Sequence, residues 1–363
     1  MSADKLVKEL ADKARIAART LVAADYKTRT NALLAIADAI IANTAAIEAA
    51  NSADMAREKS AGMSESLLDR LLLTAERIGG IADGARKVAA LPDPLNQVLR
   101  ERTLENGLHL KQVTVPFGVV GMVYEARPNV TVDAAVILLA SGNAALLRGS
   151  SSACESNAAL VKIMQDALSK TTISADVIQL IPSEDRESVR ALLHARGSVD
   201  LVIPRGSAGL IRMVVDESTV PTIETGAGVC HVYVDEYADL AKALPITLNS
   251  KTNRPSVCNA AETLLVHEKN ANNFLPEVLT ALDKAGVKLH CDNATLAIAK
   301  ELGINATLAT EENWHTEYGT LEMNVGIVPS LIAAANHIAK FGTNHTEAIV
   351  TESKENADRF IAL

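Results

Sequence analysis

Apolar positions recur every three to four residues from residue 4 to residue 90, as at Leu33, Leu34, Ile36, Ala37, Ile40 and Ile41. This spacing predicts a layer of amphipathic helices. Asn51-Ser52 and Ala61-Gly62 punctuate the run, and Pro92 and Pro94 end it. The period then changes: Val98 to Val115 alternates polar and apolar residues around Asn106-Gly107, a strong signal for a tight hairpin. A two-stranded arm is expected there. Because a lone hairpin is marginal in water, the arm is expected to pack on another subunit or domain, the alternative being a ribbon folded back on its own domain.

Beyond Gly118, apolar runs at 119–124, 144–148, 177–181, 199–203 and 220–223 alternate with helical stretches at 131–141, 152–169, 183–195 and 206–217. Near-continuous apolar strands joined by helices predict a parallel sheet covered on both faces, with ligands outside the carboxyl ends of its strands. The glycine cluster Glu224-Thr225-Gly226-Ala227-Gly228 reads as a hinge, followed by an apolar run at Val232 to Val234. A second αβ region runs from Asp239 to the end, with strands near 262–266, 287–290 and 346–350.

Composition narrows the class. The 363 residues are 48% hydrophobic but only 3% aromatic, which suits a large aliphatic core and two domains. A formal net charge of -9 without a basic stripe makes nucleic acid an unexpected partner. Cys154, Cys230, Cys258 and Cys291 lie far apart without a CxxC pair, and Met1 to Leu21 is a polar amphipathic segment rather than an apolar leader. A reducing cytoplasm is expected. The longest apolar stretch, Ala134 to Leu147, is broken by Ser141-Gly142-Asn143 and falls short of the roughly 18 residues of a membrane span, so no membrane partner is expected. The eight histidines are scattered without ligand spacing, and no metal is expected.

The candidate chemistry begins with Lys251 to Val266, KTNRPSVCNAAETLLV, which puts Cys258 on a polar bend before an apolar strand. Donors and a cation around a thiol support its thiolate, the nucleophilic form; a buried core thiol is an equal reading of this segment alone. At the first strand end, Asn129 could donate to a developing oxyanion and Arg127 could hold an anionic substrate group, while helix capping and an ordinary ion pair are the plainer readings. Two further strand ends, Arg148-Gly149-Ser150 and Arg205-Gly206-Ser207, each enter a helix. Free N–H groups there suit phosphate, and Arg148 could read a 2′-phosphate, which together suggest a dinucleotide; common helix caps are the alternative, since no GxGxxG pattern occurs. Glu224 could act as a general base or merely cap its turn. Cys230 and His231 are adjacent, so in a strand they face opposite ways and cannot pair as nucleophile and base.

Five segments standing in order, VPFGVVGMVYEARPNVTVDAA, SGNAALLRGSSSA, VDLVIPRGSAGLI, ETGAGVCHVYVDE and KTNRPSVCNAAETLLVH, resemble the gamma-glutamyl phosphate reductases of the aldehyde dehydrogenase superfamily. The resemblance implies an α/β fold: an NADP-binding domain of residues 1–97 and 116–227 with a parallel sheet, a hairpin oligomerisation arm at 98–115, and a second α/β catalytic domain at 228–363. It also implies NADPH-dependent reduction of L-glutamyl 5-phosphate to L-glutamate 5-semialdehyde in proline biosynthesis, through a thioester on Cys258. By the same resemblance Asn129 and the Cys258 N–H stabilise the oxyanions. Arg148, Ser150, Gly206, Ser207, Glu224 and Gly226 line the NADP(H) site, and Arg127 and Ser256 are placed for the substrate. A homo-oligomer and functional coupling to glutamate 5-kinase are implied as well.

The chain departs from the family pattern in four places. Ala140 stands where lysine is usual, with an expected loss of cofactor affinity, and Ser150 and Ser207 replace common glycines. The chain stops at Leu363 where the family continues, which predicts a shortened enzyme with an unpaired sheet edge. Two other functions therefore stay open: a non-catalytic homologue serving as a binding or assembly partner, and an oxidative aldehyde dehydrogenase using Glu224 as base.

Overall fold

Five helices carry the opening periodicity: Ala3–Ala23, Tyr26–Ala42, Thr44–Ser60, Glu65–Leu71 and Ala75–Ala89. Three start at a side chain that takes a first-turn N–H, with Ser2, Asp25 and Thr74 accepting from Lys5, Thr28 and Arg77. Buried polar groups tie this layer to the helices of the neighbouring sheet. Asp54 accepts from the Ser156 N–H at 2.8 Å and the Ser156 hydroxyl at 2.7 Å, on the first turn of the helix Cys154–Leu168. The computed structural model describes residues 2–125, 127–183, 185–224 and 228–363. These form two compact units, residues 1–225 and 226–363.

In the first unit, β1 (Val98–Thr103) and β2 (His109–Val113) form an antiparallel ribbon, with Gly107 at φ 84° in its turn. Every residue of both strands is exposed. The main sheet holds β3 (Val119–Tyr124), β4 (Ala144–Arg148), β5 (Ile178–Leu180) and β6 (Leu201–Arg205), parallel and in the order β5-β4-β3-β6. β3 and β4 are buried throughout, as continuous apolar runs demand. β6 begins two residues later than its apolar run, because Ser198 and Val199 donate back to Ala195 in a turn. The run at 220–223 makes only one isolated bridge, between Thr222 and Val202. Pro221 has no N–H to give and serves there only as acceptor for the Val202 N–H at 2.9 Å.

The second unit is built on a six-stranded parallel sheet: β7 (Cys230–Val234), β8 (Ala261–His267), β9 (Lys288–Cys291), β10 (Ala306–Leu308), β11 (Glu322–Val328) and β12 (Glu347–Val350). Its order is β10-β9-β11-β8-β7-β12. β10 and the inner strand β11 were not expected from the pattern. In β11 the apolar run is interrupted by Asn324, a fully buried amide. It donates to Thr263 Oγ1 at 3.2 Å and the Asn313 carbonyl at 2.9 Å, and accepts from the Tyr318 hydroxyl at 2.9 Å. A polar residue there is consistent with a core position because its hydrogen bonds are made.

Two charged side chains lie inside this unit. Lys251, near the end of the helix Leu240–Thr252, sits 2.6 Å from Glu262 at the start of β8, the two being 0% and 1% exposed. The Gly319 N–H donates to the other carboxylate oxygen at 3.2 Å. Burial pushes the Glu262 carboxyl up to about 7 and the Lys251 ammonium down, while each partner opposes the shift of the other. Removing one member strands the other without compensation. Lys251→Met is expected to cost about 3–5 kcal/mol in urea unfolding, and Lys251→Met/Glu262→Leu to recover most of that loss. A single variant as stable as the parent would show the pair to be dispensable.

His337, on the helix Leu331–Phe341, packs against Trp314 at 4.9 Å, Phe341 at 4.5 Å and His231 at 5.5 Å between ring centroids. Burial, reinforced by His231 and Lys340, lowers its pKa to about 4. The unfolded chain, with a histidine near 6.5, therefore takes up a proton that the folded chain refuses. The resulting stability is whole above pH 6.5 and is lost as pH falls through about 4. Discounted for partial exposure, the effect is on the order of 2 kcal/mol. Thermal melts between pH 7 and pH 4.5 are expected to fall less steeply for His337→Leu than for the parent; parallel curves would remove His337 as the cause.

Candidate active site

Between the helix Leu240–Thr252 and β8 the chain makes two successive turns, the Val257 N–H donating to the Arg254 carbonyl at 3.2 Å and the Ala260 N–H to the Val257 carbonyl at 3.0 Å. Cys258 rides on these turns, half-buried, beside the exposed Ser256. Pro255 stiffens the approach. Among the described residues, no acceptor takes the Cys258 N–H. The core thiols are Cys230 and Cys291, which burial pushes up to about 12. The geometry thus separates Cys258, on a partly exposed polar turn, from the thiols that fill the core.

The turn is held against the start of β7. A Cβ at Gly228 would fall 1.8 Å from the Cys258 carbonyl oxygen, so only glycine admits this approach of two backbones. Cys230 donates its thiol hydrogen to the same oxygen at 3.2 Å, and its sulfur lies 3.8 Å from His345 Nδ1. His345 did not stand out in the sequence, and Gly228 did so only as a member of the glycine cluster, because their roles depend on pairing of β7 with β8 and β12.

In the first unit, Asn129 opens the helix Asn129–Ala140 after β3, and Arg127 is half-buried just before it. The Asn129 amide donates to Asp133 at 2.9 Å instead of capping the helix. Burial raises the Asp133 carboxyl. Thr131 is fully buried in a chain of hydrogen bonds running from the Tyr124 hydroxyl at 2.7 Å to Asn157 at 2.8 Å. Ala140 ends that 12-residue helix, roughly 16 Å from its start at 1.5 Å per residue. It lines a separate apolar cavity of about 240 Å³ with Tyr26, Leu33 and Val88. Lysine or alanine there bears on that cavity and not on the strand ends.

The carboxyl ends of β3 and β4 border a cavity of about 730 Å³ whose lining includes Glu125, Arg148, Ser150, Asp185, Gly209 and Leu210. Arg148 is buried, with three of its five N–H donors committed: to the Gly149 carbonyl at 2.7 Å, the Asp185 carbonyl at 2.6 Å and Ser188 Oγ at 3.3 Å. Burial lowers its pKa, with Asp185 and Tyr124 opposing. Ser150 caps the short helix Ser151–Ala153, and Ser207 caps the helix Ala208–Glu217. Both serines have ordinary extended backbone, φ −67° and −65°, so replacing glycine costs no strain there. At the second cap the structure adds a residue that the sequence pattern did not mark. Glu125 accepts from the Ser207 N–H at 2.7 Å and the Ser207 hydroxyl at 2.9 Å, and a Cβ at Gly206 would fall 2.6 Å from its carboxylate. A carboxylate already occupies the anion-favouring N-terminus of this helix. Glu224 is exposed, and Gly226 lies outside the described residues.

The chain has clear relatives. The model of the aldehyde dehydrogenase family matches residues 1–299. The gamma-glutamyl phosphate reductase of Thermobifida fusca is 50% identical over 357 residues, 98% of this chain and 84% of that protein. That of Kineococcus radiotolerans is 52% identical over 350 residues, 96% of this chain and 81% of that protein. The crystal structure of gamma-glutamyl phosphate reductase from Thermotoga maritima superposes with a TM-score of 0.93 at 41% identity, covering 98% of this chain and 85% of that one. With half of its residues shared across nearly its whole length, the chain belongs to the aldehyde dehydrogenase family and, within it, to the gamma-glutamyl phosphate reductases.

Proposed function

We propose that this chain reduces L-glutamyl 5-phosphate to L-glutamate 5-semialdehyde and phosphate with NADPH, the second step of proline biosynthesis. The observation that carries the reading is Cys258, a half-buried thiol on a polar turn ahead of β8, in a chain half identical to reductases of that name. Its thiolate attacks the acyl carbon of the substrate and phosphate leaves, giving a thioester. The Cys258 N–H and the Asn129 amide donate to the oxyanion, Asn129 sharing the donor it now gives to Asp133. Arg127 and Ser256 are assigned to the anionic and polar groups of the substrate.

The residues of the first unit fit a dinucleotide, since the N-terminus of the helix Ala208–Glu217 already holds an anion beside a 730 Å³ cavity. Ser207 and Gly206 are proposed for its pyrophosphate, Arg148 and Ser150 for its adenosine phosphate, and Glu224 and Gly226 for its nicotinamide end. When bound, the cofactor supplies the hydride that resolves the thioester. Glu224 as base for thioester hydrolysis is not needed by a reductase whose product leaves as the aldehyde. The exposed ribbon of β1 and β2 is proposed to pair subunits into a homo-oligomer, burying edges that water alone would not stabilise. A cytoplasmic location and coupling to glutamate 5-kinase complete the proposal. Among the described residues, no single helix is long and apolar enough to cross a membrane.

Two measurements test this. Reduction of NADP with glutamate semialdehyde is expected to depend on phosphate and to fall by a factor on the order of 10³ or more in Cys258→Ala. Phosphate-independent turnover would instead mark an oxidative enzyme with Glu224 as base, and no turnover a binding protein. Second, Glu125→Gln removes the charge that competes for the Ser207 N–H. NADPH is expected to bind that variant about three- to tenfold more tightly by calorimetry, the scale of one charge at a helix N-terminus; weaker binding would mean that Glu125 holds the cofactor.

A further inference from the structure

We propose that Cys230 is a resolving thiol for Cys258: when an oxidant reaches the nucleophile, the two cysteines close a disulfide that shields it from irreversible oxidation. The inference rests on Cys258 being the accessible thiol of the reading above. Its basis is proximity. The Cys230 sulfur lies 3.2 Å from the Cys258 carbonyl oxygen. A Cβ on Gly228, two residues before Cys230, would fall 3.2 Å from Cys258 Cα, so the two backbones abut. Disulfides need Cα atoms about 4.4–6.8 Å apart, and the contact between the Cys230 sulfur and the Cys258 backbone makes the two residues direct neighbours. Cys230 pairs with Ala261 in the β7–β8 register, which sets it three residues from Cys258 along the neighbouring chain segment.

The two thiols differ as such a pair requires. Cys258 is partly exposed and can meet a small peroxide, whereas Cys230 is 2% exposed and can meet only its neighbour. With hydrogen peroxide, the Cys258 thiolate attacks one peroxide oxygen, the O–O bond breaks, and sulfenic acid and hydroxide result. The Cys230 sulfur then attacks the sulfenic sulfur; the S–S bond forms and the S–O bond breaks, releasing water. Two thiols and one peroxide thus become one disulfide and two waters, both sulfurs oxidised and the peroxide reduced. His345 Nδ1, 3.8 Å from the Cys230 sulfur, is placed to take the thiol proton. Burial and the charge of Glu347 keep the resting Cys230 thiol protonated.

The test treats the full chain with hydrogen peroxide in severalfold molar excess, enough for the two equivalents that a sulfinic acid consumes, blocks free thiols with N-ethylmaleimide, and maps peptides by mass spectrometry without reduction. A peptide joining Cys230 to Cys258, short of two hydrogens, is expected, with activity lost and then restored by dithiothreitol. In Cys230→Ser, with folding checked by circular dichroism, Cys258 is expected to gain two oxygens as a sulfinic acid, and dithiothreitol to restore nothing. Sulfinic Cys258 beside a free Cys230 in the parent chain would overturn the proposal without needing the variant. So would a bridge to Cys154 or Cys291. The assay with Cys258→Ala stands apart: reductase activity surviving that change would refute the nucleophile reading, whatever the peptide map shows.

Discussion

The second unit depends on the pair Lys251–Glu262, because it fixes both ends of the loop that carries the thiol. Lys251 closes a helix and Glu262 opens β8, so a 2.6 Å contact between them spans the whole turn-rich segment of Cys258. A polar loop has few apolar contacts to hold it, yet a nucleophile must be held to within a fraction of an ångström to act. A buried ion pair answers this constraint at the ends of the loop instead of inside it, leaving the residues around the thiol free to be polar. The second oxygen of Glu262 extends the grip to Gly319, ahead of β11. Three segments of the unit thus meet on one carboxylate, and its desolvation is tolerable only while all of those bonds persist.

A matching economy governs the first unit. Buried donors and helix ends need partners, and this unit supplies them from within: Asp54 to Ser156, two carbonyls to Arg148, Glu125 to Ser207. On the proposed cofactor reading, an incoming phosphate would exchange with a carboxylate rather than fill an idle site. Such exchange would yield less affinity than occupation of bare N–H groups, and would leave the helix end satisfied before and after release.

Much of this was legible in the chain. The strands 119–124 and 144–148 coincide with their apolar runs, and Asn106-Gly107 marked the ribbon turn, because burial on both faces and a glycine turn leave direct signatures. Cys258 stood out for its polar neighbours. The features that stayed hidden share one cause, dependence on residues far along the chain. β11 was masked by Asn324, whose partners Thr263, Asn313 and Tyr318 only the fold assembles. The run at 220–223 looked like a strand until Pro221 met an inner neighbour. Glu125 gave no local signal because its partner lies 82 residues away.

The glycine cluster before β7 shows how such distant contacts alter a local reading. From sequence it suggested a hinge, with Glu224 and Gly226 near the cofactor. At Gly228 the space is instead taken by the Cys258 carbonyl, where any side chain would collide with backbone. That carbonyl is also the acceptor for the Cys230 thiol, so one oxygen receives both the backbone crowding and the hydrogen bond. The peptide joining Cys258 to Asn259 is oriented by these two contacts: with the carbonyl turned toward β7, the Asn259 N–H points the opposite way, as a trans peptide requires. The backbone that carries the thiol is thereby set by a glycine and a cysteine that need never meet the substrate. Substitution at Gly228 would act through that peptide's direction before it touched any reacting atom.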